Sequence, residues 1–148
     1  WILGGTFSQH ASEAHWADYR CAAEDGVAVL SAAVPEPAGF AFFGQEIYAD
    51  DYLGATVAFR GLLRGQDTRN AGLFVRVRGA LDVRGPVTAA AALADPSNHV
   101  ALVPSGSAWS EHEITVEIPD DANSIVFGIF LAGHGRIEMK DPEFLSAT

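Results

Sequence analysis

Residues 109–144 read W-S-E-H-E-I-T-V-E-I-P-D-D-A-N-S-I-V-F-G-I-F-L-A-G-H-G-R-I-E-M-K-D-P-E-F. Ile114, Val116 and Ile118 alternate with Glu113, Thr115 and Glu117, the two-residue period of a strand with one face buried and one wet. Pro119, Asp120, Asp121 and Asn123 interrupt that pattern. Ile125, Phe127, Ile129 and Leu131 then alternate again, Gly133 and Gly135 turn the chain, and residues 136–144 supply another strand. The stretch predicts three antiparallel strands with turn chemistry at each joint, and a core wall made of its alternating apolar residues.

The same period runs outward from this stretch. Residues 18–23 and 26–34 read as two strands around Glu24-Asp25-Gly26, and Pro35-Glu36-Pro37 ends that pair because proline brings no ladder donor. Residues 39–48 form a strand dense in aromatics, followed by a turn over 50–54. Val57, Phe59, Gly61 and Leu63 share one face of the next strand, and Leu73, Val75 and Val77 share one face of the strand over 71–78. Residues 1–7 read as an edge strand and 8–17 as a helical turn or loop. Residues 79–107 carry the weakest signal, with an alanine run at 89–92 and proline breaks at Pro96 and Pro104. Strands about every ten residues, with no long helical period, predict an all-β antiparallel sandwich of about eight to ten strands, as one domain over 1–148.

Composition bounds the function. The chain has 148 residues, is 49% hydrophobic and 10% aromatic, and carries a formal charge of -10. It has enough apolar surface for a core. Its acidity opposes nucleic-acid phosphates and anionic membranes. No apolar run approaches the roughly 20 residues of a membrane helix. Cys21 is the only cysteine, which excludes an intrachain disulfide and a cysteine zinc site. With no visible signal peptide, these features read as cytoplasmic. The chain opens at Trp1 without Met, as a fragment or a processed form does.

Four stretches resemble a jelly-roll family similar in fold to galactose-binding-like domains and carbohydrate-binding modules. Trp1-Ile2-Leu3-Gly4-Gly5 resembles an opening W-x-x-G-S. Residues 39–54, G-F-A-F-F-G-Q-E-I-Y-A-D-D-Y-L-G, resemble G-F-G-T-L-x-Q-x-x-x-A-x-x-Y-x-G. Residues 71–77 resemble A-G-L-W-x-R-V, and 109–144 resemble D-W-x-x-Y-E-V-x-L-D-V-P followed by I-A-F-G-x-x-L-x-G-x-G and W-x-D-D-V-x-F. The resemblance implies an actinobacterial domain that occurs alone or attached to DNA-binding transcriptional regulators. Three departures stand out: Phe74 replaces the tryptophan of A-G-L-W, Lys140-Asp141 replaces the closing D-D, and 94–98 stand where the family has F-D-N-M. Together they imply a remodelled pocket.

No motif dictates a chemistry, so candidate sites come from residue types and faces. If the aromatic strand and the strand over 71–78 present matching faces, Phe43, Gln45, Phe74 and Arg76 line one concave surface. There the guanidinium holds a carboxylate or enolate and Gln45 orients a carbonyl. The alternative leaves Arg76 exposed, or paired with Glu113 or Glu117. Asp95, Asn98 and His99 lie between proline breaks in a loop over that face, and Asp with His is an acid–base pairing; nothing fixes their mutual geometry, and a plain polar turn is the favoured reading. Five histidines without ligand spacing are a weak metal signal, and Asp141 with Glu143 is the nearest approach to a calcium pair. Cys21 beside Arg20 is a thiol with a neighbouring cation, set in an apolar strand. Trp1, Trp16, Tyr48, Tyr52 and Trp109 are the residues available for a sugar-stacking platform.

The leading expectation is a cofactor-independent binding protein for a small hydrophobic or polyketide-like molecule, linked to secondary metabolism. An enzyme reading stands beside it: a cofactor-free cyclase or isomerase using Arg76, Gln45 and Asp95 to hold reacting ends together and stabilise charge. Carbohydrate binding is third. Homodimerisation through an outer sheet is open.

Overall fold

The computed structural model describes residues 6–11, 18–79, 98–106 and 108–146. Ten strands follow in order: β1 (Thr6–Ala11), β2 (Tyr19–Glu24), β3 (Val27–Ala32), β4 (Ala41–Tyr48), β5 (Thr56–Gln66), β6 (Asn70–Gly79), β7 (Asn98–Leu102), β8 (Ser110–Glu117), β9 (Ala122–Ala132) and β10 (Arg136–Ser146). They form two five-stranded antiparallel sheets with strand orders β1-β4-β9-β6-β7 and β2-β3-β10-β5-β8. This is the expected jelly-roll sandwich. No helix among the described residues is long and apolar enough to cross a membrane.

Local chemistry explains the joints. Asp25 and Gly26 link β2 to β3 with φ of 51° and 78°, the two-residue turn whose twist suits a hairpin. A 3-10 turn at Asp50–Tyr52 and a positive φ at Gly54 lead into β5. At Gly135, φ is 109°, and a Cβ there would lie 2.6 Å from the Asp67 carbonyl oxygen. Only glycine fits that turn.

The last three strands differ from the hairpin expectation. β8 pairs with β5, β9 lies between β4 and β6, and β10 lies between β3 and β5. Each joint therefore carries the chain from one sheet to the other. Both connections are short, so local sequence alone does not distinguish a crossing from a hairpin. Two further expectations change. Residues 8–11 belong to β1, the rest of 8–17 lying outside the described residues, and Asn98 and His99 begin β7, not a polar turn.

The core lies between the sheets, where the alternation places it. Ile114 and Val116 from β8 are each 7% exposed; Ile125, Phe127, Ile129 and Leu131 from β9 are fully buried. Val57, Phe59, Leu63, Leu73 and Ile137 are fully buried with them, each worth about 1.5–3 kcal/mol relative to exposure. Phe127 stacks on Phe144 at 4.7 Å and tilts against Phe59 at 5.0 Å, and Tyr52 meets Phe144 edge-on at 5.3 Å. At one end, the Tyr19 hydroxyl donates to the Gly39 carbonyl at 2.9 Å and accepts from the Gly133 N–H at 3.1 Å. Burial raises the Tyr19 pKa, and the Gly133 hydrogen bond partly offsets that rise. The phenol thus remains a neutral clasp between the β9–β10 turn and the segment before β4.

Candidate functional site

Alternation decides what the β1-β4-β9-β6-β7 sheet shows on its outer side. Gln45 pairs with Phe127 and Phe127 with Val75, so these three share the inner face. Phe43 is 3% exposed and Gln45 1%. Phe74, Arg76 and Arg78 are one residue out of phase with Val75 and point outward. The expected convergence of Phe43 and Gln45 with Phe74 and Arg76 is therefore corrected: the sheet separates the two pairs. A one-residue difference in register exchanges faces, and residues 40, 42 and 43 are all phenylalanine, so the aromatic strand gave no apolar face to fix the phase.

The outer face has two parts. In the first, Gly44 lies opposite Gly128, and Gly128 opposite Phe74. The bare position at 128 lets the rings of Phe42 and Phe74 meet across β9, with centroids 5.0 Å apart and an edge-to-face angle of 67°. Phe74, Val126 and Phe130 form a small second apolar cluster, with Phe42 and Val100 against it. Phe74 is 8% exposed and Phe130 6%, so these rings offer no open face to a ligand.

The second part is polar. Arg78 Nη1 donates to Glu46 Oε2 at 2.8 Å, and Ser124 Oγ donates to the same oxygen at 3.2 Å. Arg76 Nη1 donates to Asn98 Oδ1 at 2.9 Å. Glu113 and Glu117, its sequence-level alternatives, belong to the other sheet, opposite Arg60 and Thr56. Tyr48 pairs with Ser124 at the end of this row and is 83% exposed. An accessible aromatic ring, a carboxylate and guanidinium groups thus share one side of the sheet. Glu46 and Ser124 escaped the sequence reading, although Glu46 alternates with Tyr48 at the two-residue spacing that places the pair on one face; the same spacing puts Arg78 on the face of Phe74 and Arg76 from the sequence alone.

The remaining candidates do not assemble. Asp95, Trp1, Trp16 and His15 lie outside the described residues. His99 is opposite Val75 and Asn98 opposite Arg76, so the two neighbours project to opposite sides. Tyr52 is packed on Phe144. Burial pushes the Cys21 thiol up to about 11, which removes any activated thiolate near neutral pH. His112 lies 2.8 Å from Ser110 Oγ, with no acid completing a triad in the described hydrogen bonds. No group of three or more His, Cys, Asp or Glu gathers around a metal-sized space among the described residues. Asp141 sits at the irregularity between Lys140 and Glu143 with φ of 52°, and Glu143 is bound by Arg60 at 2.7 Å.

The other sheet turns charged pairs outward. Arg64 Nη2 reaches both oxygens of Glu138 at 3.1 Å, and Arg136 Nε lies 3.3 Å from Oε1. Burial works to raise the Glu138 pKa, but the hydrogen bonds and charges of Arg64 and Arg136 outweigh it and hold the carboxyl below the ordinary glutamate value. The Trp109 ring lies 4.5 Å from the Arg64 guanidinium and 4.4 Å from the Lys140 ammonium.

No protein-family profile matches the sequence, and no curated protein matches it. Solved structures do match in fold. A CBM4 carbohydrate-binding module aligns with a TM-score of 0.60 at 19% identity, over 95% of this chain and 86% of that one. TmCBM61, solved in complex with beta-1,4-galactotriose, aligns at 0.52 and 9% identity, over 95% and 88%. The enzymatically active domain of Bacteriophage CBA120 tailspike protein 4 aligns at 0.59 and 14% identity, over 97% of this chain. This chain spans 19% of the length of that tailspike chain. The likeness to carbohydrate-binding modules is one of fold.

Proposed function

We propose that this chain is a single carbohydrate-binding domain whose saccharide lies on the outer face of the β1-β4-β9-β6-β7 sheet. In this reading Tyr48 stacks on the apolar face of a sugar ring. Glu46, Arg78 and Ser124 take its hydroxyls, and Arg76 with Asn98 continues the row toward β7. The observation that carries the reading is the 83% exposed Tyr48 on the same face as the 2.8 Å Arg78–Glu46 pair. The fold of the neighbouring carbohydrate-binding modules supports it. A small hydrophobic or polyketide-like ligand, held or cyclised, requires an open apolar pocket. The Phe42–Phe74–Phe130 layer is closed at its centre, which favours the saccharide.

Calorimetric titration with a panel of neutral oligosaccharides, beta-1,4-galactotriose among them, tests the proposal. Saturable binding is expected for at least one. Tyr48→Ala is expected to weaken it about tenfold, the equivalent of about 1.4 kcal/mol, and Glu46→Gln to weaken it further toward loss. If no saccharide binds, or both variants bind as the parent does, the assignment is wrong.

A further inference from the structure

The outer face of the β2-β3-β10-β5-β8 sheet gathers three cations around one carboxylate. Arg64 and Arg136 both engage Glu138. Lys140 has no ion pair among the described residues; its ammonium rests on the Trp109 ring beside Arg64. Arg64 Nε is buried without a hydrogen-bond partner among the described residues, a donor left over inside the cluster. Arg136 also walls a shallow depression of about 440 Å³, shared with Gln66, Asp67, His134 and the 32–35 loop. A protein of formal charge -10 thus concentrates local positive charge beside an indole and a recess.

We propose that this face is a second ligand site, and that its ligand is a saccharide unit bearing a carboxylate, a uronate. The ring framework of that ligand rests on the carbohydrate reading above; its acid rests on the cation excess here. A guanidinium matches a carboxylate in plane and in donor spacing, and an indole offers apolar surface to a sugar ring. Glu138 already occupies Arg64 Nη2, which leaves Arg136 and Lys140, beside the Trp109 ring, for the incoming carboxylate. Glu111, opposite Leu62, and Glu143, held by Arg60, bound the site on its other side and disfavour a second acid there. The overall acidity repels a polyanion. The site therefore selects a lone uronate on an otherwise neutral oligosaccharide over an acidic polymer.

Calorimetric titration of the full chain compares a neutral oligosaccharide with the same oligosaccharide carrying one glucuronate. The acidic form is expected to show, at low salt, a second saturable binding event that the neutral form lacks, fading as ionic strength approaches about 1 M. The double variant Arg136→Met, Lys140→Met leaves the Arg64–Glu138 pair in place. It is expected to lose the second event while keeping its neutral-sugar affinity on the first face and a cooperative thermal transition. A single event in the parent with either oligosaccharide, or a second event that survives the double substitution, overturns the proposal. If neither oligosaccharide binds, the carbohydrate reading fails and the anion site is read with free glucuronate alone. A saturable shift of the Trp109 indole N–H resonance with glucuronate, and none with glucose, then supports the site; no shift removes it.

Discussion

On the outer side of the β1-β4-β9-β6-β7 sheet, glycines at 44 and 128 oppose each other, and aromatic rings close over the bare backbone. On the outer side of the β2-β3-β10-β5-β8 sheet, long charged side chains meet in pairs: Arg60 with Glu143, Arg64 and Arg136 with Glu138. The first surface depends on how closely strands approach. The second depends on flexible side chains that mostly remain in contact with water. A change of one atom at a glycine therefore reaches the backbone, whereas a change at a surface charge is absorbed by solvent.

The contrast breaks most severely at Gly128. A Cβ there would lie 2.3 Å from the Phe43 carbonyl oxygen and 2.6 Å from the Gly44 Cα. Gly128→Ala is expected to cost about 3 kcal/mol or more, read as a large drop in denaturant midpoint or loss of folding. Gly106→Ala meets nothing within 4 Å and should leave the midpoint in place. A Gly128→Ala protein of parental stability would mean that the strands do not approach as described.

Glu138→Gln comes next, because the side chain is 8% exposed and serves two arginines. A loss of about 1–3 kcal/mol is expected. The pH dependence has a definite sign. Glu138 has its pKa lowered in the folded state from 4.5. Its contribution is complete above that unfolded value and is lost as pH falls through the lower folded value. Acid titration of stability should therefore be shallower below about pH 4.5 in Glu138→Gln than in the parent; parallel curves would show that the carboxylate is not specially held.

Tyr48→Ala sharpens the comparison from the functional side. Its ring is 83% exposed, so the thermal midpoint should not move while saccharide affinity falls. A stability loss without an affinity loss would make the tyrosine structural. The smallest effect is expected at Arg60→Ala, whose partners Glu143 and Glu113 are themselves exposed. No change in midpoint, in low or high salt, is the expected result.

The sequence makes the sandwich legible because alternation is a local signal. Ile114, Val116, Ile125, Phe127, Ile129 and Leu131 can be placed in the core from spacing alone, and all are buried. Sheet membership is not local. Nothing in Pro119–Asp121 or Gly133–Gly135 states that the chain crosses between sheets, so β8, β9 and β10 read as neighbours although none pairs with another. The candidate site suffers from the same limit. Arg76 was visible as an outward polar residue, but which β4 residues share its face depends on register through β9. That register places Glu46, not Gln45, in its row. Tyr48 was visible only as one aromatic among five; exposure singles it out.

The crossings at the end of the chain also set a schedule. β9 is the central strand of one sheet and β10 the central strand of the other. During synthesis from the N-terminus, both sheets must wait for the last strands before either has a middle. Until then β4 and β6, like β3 and β5, display unpaired edges to solvent, the condition in which strands associate with other chains. Pairings of such long sequence separation also close slowly. A chain cut after β8 would keep eight of the ten strands among the described residues, yet it would hold four sheet fragments and no sandwich.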